Sequence, residues 1–86
     1  MKYIFTQSAY EQLMEWVQED RKKVKKIHDL IKDIQRNGPE TGIGKPESLK
    51  HIRAWSRRID QEHRLVYNFD EHQNLIILSC HGHYEG

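Results

Sequence analysis

Cys80 is the only cysteine in the 86 residues, so no disulfide can close within the chain, and a reducing compartment fits best. Long apolar runs are equally scarce. No stretch approaches the roughly 18 to 20 apolar residues that a membrane span needs, and MKYIFTQSAY lacks the apolar core of a signal peptide. These absences exclude a disulfide-stapled secreted scaffold and a helical membrane protein, and the expectation is a small cytoplasmic protein with no membrane partner. Net charge is nearly missing too, since 14 Lys+Arg stand against 13 Asp+Glu. There are two prolines and five glycines, and both prolines and three glycines fall within NGPETGIGKP, Asn37 to Pro46. That segment is the one strong loop signal in the chain.

The charges that are present are polarised along the sequence. From Arg21 to Arg58 there are 12 basic and 4 acidic residues, while the remainder holds 2 basic and 9 acidic. A chain so divided can show a polyanion a positive face while staying almost neutral. For the run Arg21, Lys22, Lys23, Lys25, Lys26 alone, a solvated helix surface explains the pattern equally well.

Hydrophobic periodicity supplies the elements. Lys2 to Phe5 (KYIF) reads as a first strand. Ser8-Ala9-Tyr10-Glu11 fits a capping box, and Ala9, Leu13, Trp16 and Val17 then recur at helical spacing to about Glu19. Asp20 is placed to cap a second helix whose stripe is Val24, Ile27, Ile31 and Ile34, stopped by Asn37-Gly38-Pro39. After the glycine-rich loop, Pro46 could open a single helical turn over Glu47 to His51. Ala54 to Ile59, His63 to Phe69 and Leu75 to His83 read as three strands joined by connections of hairpin length. The order β-α-α-β-β-β predicts one α+β domain over residues 1–86, with a helical hairpin covering one face of a mostly antiparallel sheet.

Side-chain alternation then sorts the strands. Leu65, Tyr67 and Phe69 are expected to meet the helices, with Arg64, Val66 and Asn68 pointing away. Ile76, Leu78 and Cys80 form the expected core set of the last strand, which sends Ile77, Ser79, His81 and His83 to the open face. Trp55 and Ile59 are expected to be buried, and Ser56 and Arg58 exposed. Arg57 has core parity, so it is expected at an edge or displaced by a bulge. Arg58, Arg64, His81 and His83 thus converge on the open face. The glycine-rich loop could bring Glu47 and Lys50 across it.

One carboxylate, imidazoles and several cations suit RNA cleavage: a carboxylate takes the 2′-OH proton, guanidiniums match the charge of the phosphorane, and a histidine protonates the departing 5′-oxygen. Duller readings stand beside this one. Glu47 could be a surface charge, Arg58 and Arg64 could pair with Asp60 and Glu62 across the hairpin, and His81-Gly82-His83 with Cys80 could suggest a weak metal site.

The segments VKKIHDLIKDI, GKPESLKH, WSRRIDQEHRLVY and CHGHY together resemble the YoeB/Txe family of RelE-like toxins, over essentially the whole chain. The resemblance implies a RelE-like fold and a metal-independent endoribonuclease of a bacterial toxin–antitoxin pair, with no cofactor. Such a toxin enters the A site of the 70S ribosome and cuts the messenger RNA there. A YefM/Axe-type antitoxin is the implied partner; operator DNA is engaged only through the complex with it, and a homodimer is a common state of relatives. By motif, Glu47 matches the general base, His83 the general acid and Arg64 the residue that stabilises the phosphorane. Lys50 and Arg58 match cations near the scissile phosphate, and Tyr84 matches a tyrosine that orients substrate. His81 falls in a variable stretch and is expected to do no more than contact RNA. The alternative on the same fold is a catalytically weak module that binds RNA or antitoxin.

Overall fold

In a computed structural model, residues 1–82 are described. Strand β1 (Tyr3–Phe5) leads into helix α1 (Gln7–Glu19) and helix α2 (Arg21–Asn37), followed by β2 (Glu47–Ser48), β3 (Trp55–Arg58), β4 (Arg64–Phe69) and β5 (Leu75–Ser79). The five strands form one sheet in the order β1-β5-β4-β3-β2, antiparallel except where β1 runs parallel to β5. The α+β fold and the helical hairpin are as the sequence predicts. No helix among the described residues is long and apolar enough to cross a membrane.

The helices form where caps and apolar stripes coincide. Helix α1 starts two residues earlier than a Ser8 cap requires, because Thr6 is the N-cap and its Oγ1 accepts from the Ala9 N–H at 3.1 Å. Thr6 also donates its own N–H to the Ile77 carbonyl at 3.1 Å, so the strand ends and the helix begins on the same residue. Ser8 therefore lies inside the first turn, and Glu11 takes a bond from Gln7 Nε2 at 3.4 Å instead. Asp20 serves both helices, closing α1 through its N–H to Trp16 and capping α2 by accepting from the Lys22 N–H. Gly38, at φ 86°, ends α2 in the left-handed region that favours glycine.

Ala9, Trp16, Ile27, Leu30, Ile31 and Ile34 from the helices pack against Leu65, Tyr67, Leu75 and Ile77 of the sheet and Cys80 just beyond it. Each aliphatic side chain so buried contributes roughly 1.5 to 3 kcal/mol. Trp55 is half-buried at the rim of this core, stacked 6.3 Å from Tyr67 and edge-on to Phe69 at 5.8 Å.

Three further expectations need correction. The segment after Pro46 is a strand rather than a helical turn: Glu47 and Ser48 pair with Ser56 and Trp55. Without β2, strand β3 would be an open edge with its outer N–H and C=O groups unpaired, and a ladder satisfies more of them than an isolated turn. Second, β5 carries a bulge. Tyr67 lies opposite Ile77 but Val66 lies opposite Ser79, so Leu78 is the extra residue. The bulge reverses the alternation part-way along the strand. Leu75 and Ile77 therefore reach the core before it and Cys80 after it, in place of the set Ile76, Leu78 and Cys80. Burial pushes the Cys80 thiol up to about 12, with Glu15 adding to the rise. Third, Arg57 is at neither an edge nor a bulge; it is fully buried in β3.

The turn between β3 and β4 is tied to α2 by an ion pair of 3.0 Å between Lys23 and Asp60. Asp60 also accepts from the backbone N–H groups of Glu62 and His63 at 2.8 and 2.6 Å. Burial raises its pKa, but these hydrogen bonds and the Lys23 charge outweigh it and hold the carboxyl at about 2, below its ordinary 3.8. The folded state therefore binds that proton less tightly than the unfolded chain. Its stabilisation is complete above about pH 5 and is lost as pH falls through about 2. In urea titrations, Asp60→Asn is expected to cost about 1 to 2 kcal/mol at pH 6 and to flatten the fall in stability between pH 5 and pH 2.5. An acid slope identical to that of the wild type would refute this origin.

Candidate active site on the open face of the sheet

Residues paired across a sheet share a face, so Glu47, Ser56, Val66 and Ser79 form one row opposite the helices, and Arg58 and Arg64 form the next. Two arginines directly opposite each other are unfavourable in a sheet. Such a breach of local preference marks a candidate site for an anion.

Arg64 is held in place. Its Nε donates to Ser56 Oγ at 2.8 Å, and its Nη2 lies 3.3 Å from the Ser56 carbonyl and 3.2 Å from that of Lys45. Glu47 Oε2 stands 3.7 Å from the same Nη2, near enough for charge attraction and too far for a hydrogen bond. The Glu47 side chain is 62% exposed and that of Arg64 13%. A fixed cation thus faces an exposed carboxylate. Ser56 was expected to be exposed and is buried, because the Arg64 side chain folds over it. Asp60 and Glu62 do not neutralise these arginines across the hairpin; they pair with Lys23 and His63.

The sequence-predicted residues are only partly assembled. Glu47, Arg58 and Arg64 come together. Arg58 is exposed, and its N–H donates to the Gly44 carbonyl at 2.7 Å, which fixes the loop next to it. Lys50 is exposed on the connection between β2 and β3, where the Leu49 N–H closes onto the Ala54 carbonyl. His83 and Tyr84 lie outside the described residues. His81 is not on the open face. Strand β5 ends at Ser79, and the His81 ring sits 4.9 Å from Trp16 and 4.5 Å from His63. Among the described residues, no three side chains of His, Cys, Asp or Glu gather into a metal-sized group.

Sequence reasoning missed the residue that shapes the site from below. All five N–H donors of Arg57 are engaged. Nε binds the Tyr67 hydroxyl, Nη1 binds Asp33 and the Ile43 carbonyl, and Nη2 binds the carbonyls of Gly38 and Thr41. The glycine-rich connection to Glu47 is therefore wound around one buried guanidinium. Asp33 is raised by burial but lowered more by Arg57, the Ile43 N–H and Asn37, so it stays ionised as the counter-charge. Gly44 completes the fit: at φ +82° it lies where an added Cβ would come within 2.8 Å of Leu30 and 3.2 Å of Arg57 Cβ. The available signal was the core parity of Arg57 beside a loop rich in carbonyls that no ladder could satisfy.

The sequence model describing the YoeB-like toxin of bacterial type II toxin–antitoxin systems matches residues 5–84. The chain belongs to the YoeB-like toxin family. Toxin YoeB of Escherichia coli (strain K12) is 45% identical over 86 residues, covering 98% of this chain and 100% of the relative. A YoeB dimer from Staphylococcus aureus superposes with a TM-score of 0.90 at 45% identity, covering 98% of both chains. The toxin of a heterotetrameric YoeB–YefM complex from the same organism gives a TM-score of 0.87 at 46% identity, again covering 98% of both. Within this YoeB-like chain, the GKPESLKH and WSRRIDQEHRLVY segments that carry the resemblance are the ones that build β2, β3, the start of β4 and the Glu47–Arg64 junction.

Proposed function

We propose that this YoeB-like toxin is an endoribonuclease that cuts messenger RNA in the ribosomal A site without a metal ion. The observation that carries the reading is the approach of Glu47 to Arg64 at 3.7 Å on a face where Arg58 and Arg64 stand side by side. Glu47, exposed to solvent, takes the proton from the ribose 2′-OH as general base. The 2′-oxygen bonds to phosphorus while the bond to the 5′-oxygen breaks, and His83 gives that oxygen its proton. Arg64, preorganised by Ser56, meets the charge of the phosphorane, as its planar fork suits phosphate oxygens. Arg58 and Lys50 supply further phosphate contacts, and Tyr84 orients the substrate. A base as exposed as Glu47 gains little from its own surroundings, which agrees with dependence on a ribosome that delivers and aligns the message.

The likeness to the Staphylococcus aureus complex supports a YefM-type antitoxin as the neutralising partner, and the likeness to the dimer supports self-association. On this reading operator DNA is engaged only through the joint complex. Programmed ribosomes test the chemistry. The upstream fragment is expected to end in a 2′,3′-cyclic phosphate or 3′-phosphate, unaffected by chelator, and a message with 2′-deoxyribose at the cleavage position is expected to resist. Normal cutting of the deoxy message would sink the mechanism.

A further inference from the structure

We propose that His63 is a positioning residue for the segment that carries the general acid, fixing Gly82 through its unprotonated Nδ1. The inference rests on the role of His83 given above. Gly82 immediately precedes His83 in the sequence, and both of its backbone polar groups are held. Its N–H donates to His63 Nδ1 at 2.7 Å, and its carbonyl accepts from the Arg64 N–H at 3.1 Å. One strand residue and its neighbour thus hold the residue before His83 from both of its backbone groups, and the Arg64 that provides the second bond is the proposed phosphorane-binding residue itself.

The ring that makes the first bond is built in from several sides. The His63 side chain is 12% exposed, edge-on to the Trp16 indole at 4.8 Å, with the His81 ring at 4.5 Å. Trp16 is fixed in turn by its Nε1 donating to the Cys80 carbonyl at 2.7 Å. The backbone of His63 is anchored at the hairpin turn, where its N–H reaches Asp60 and its carbonyl accepts from Ile59 and Asp60. An imidazole nitrogen that accepts a backbone N–H cannot carry a proton, so the ring proton sits on Nε2. That nitrogen lies 3.0 Å from Glu62 Oε2, which favours the same tautomer. A continuous set of bonds therefore runs from Lys23 on α2 through Asp60 and His63 to Gly82. Packing alone would ask only for an aromatic ring at position 63. The acceptor at Nδ1, aimed at the peptide before the proposed acid, is what packing leaves unexplained.

Two substitutions separate the acceptor from the ring. His63→Phe keeps a flat ring against Trp16 and removes the acceptor; His63→Asn loses the ring but offers an oxygen at the Nδ1 position. In amide exchange on the isolated toxin, Gly82 is expected to exchange roughly 5- to 10-fold faster in His63→Phe and near the wild-type rate in His63→Asn. On programmed ribosomes, His63→Phe is expected to lower the rate at saturation by up to about 10²-fold, with half-saturation nearly unchanged, and His63→Asn to recover most of it. Nitrogen-15 shifts of the wild-type ring are expected to report the Nε2–H tautomer. Unchanged Gly82 exchange in His63→Phe, equal loss of cleavage in both variants, or a proton on Nδ1 would each overturn the proposal. If wild-type toxin makes no cut at all, the nuclease reading falls instead, and exchange at Gly82 and the ring tautomer still judge the anchor.

Discussion

Glu47→Gln is expected to slow cleavage of ribosome-bound message by about 10²- to 10⁴-fold, the range that a positioned general base contributes. The substitution keeps the shape of the side chain and removes only its ability to take a proton. Glu47 sits on the edge strand β2, mostly exposed, and among the described residues its charged partner is Arg64 at 3.7 Å. Stability is expected to stay within about 0.5 kcal/mol, as for surface substitutions elsewhere. Because Arg64 keeps its bonds to Ser56 and to the Lys45 carbonyl, its guanidinium remains in place in the variant. Ribosome binding is therefore expected to persist while the chemical step is lost. Single-turnover cleavage, together with co-sedimentation on ribosomes, distinguishes the cases. A variant that binds and cuts like the wild type would remove Glu47 from the chemistry, and one that fails to bind would make the residue a docking contact.

Arg57→Ala is expected to cost about 3 to 5 kcal/mol of folding stability, the usual penalty for breaking a buried ion pair from one side. It would strip partners from Asp33, from the Tyr67 hydroxyl and from the carbonyls of Gly38, Thr41 and Ile43 in one step. A small domain has about 5 to 15 kcal/mol in total, so the variant would sit near its unfolding threshold. The loss has a place as well as a size. The connection from Gly38 to Pro46 closes on this guanidinium, and the same connection leads into Glu47. Urea unfolding measures the first effect. Amide exchange over residues 38–46 under native conditions measures the second, and is expected to rise most there. Arg57→Lys is expected to rescue little, since one ammonium cannot replace a fork with five donors. A loss below about 1 kcal/mol would show that the loop holds its own shape without the arginine.

Much of this molecule is legible in one dimension. The helical stripe of Ile27, Ile31 and Ile34, the shared cap at Asp20 and the stop at Gly38 are local matters, decided within a few residues by spacing and capping chemistry. Alternation along Arg64 to Phe69 was enough to put Leu65 and Tyr67 in the core and Arg64 on the other face. The same alternation puts Arg58 and Arg64 on one face.

What the chain could not reveal by itself depends on partners distant in sequence. Whether Glu47 and Ser48 coil or extend is decided by the unpaired edge of β3, at Ser56 and Trp55. The inward set of β5 is decided by one extra residue against β4, since a bulge leaves no mark in composition while reversing every side chain beyond it. The burial of Arg57 is decided by four carbonyl and carboxylate groups on α2 and the following loop. Periodicity reports what each residue prefers against water, and those preferences are local. Hydrogen bonds that close between segments far apart in the chain are settled only when the backbone brings their ends within about 3 Å.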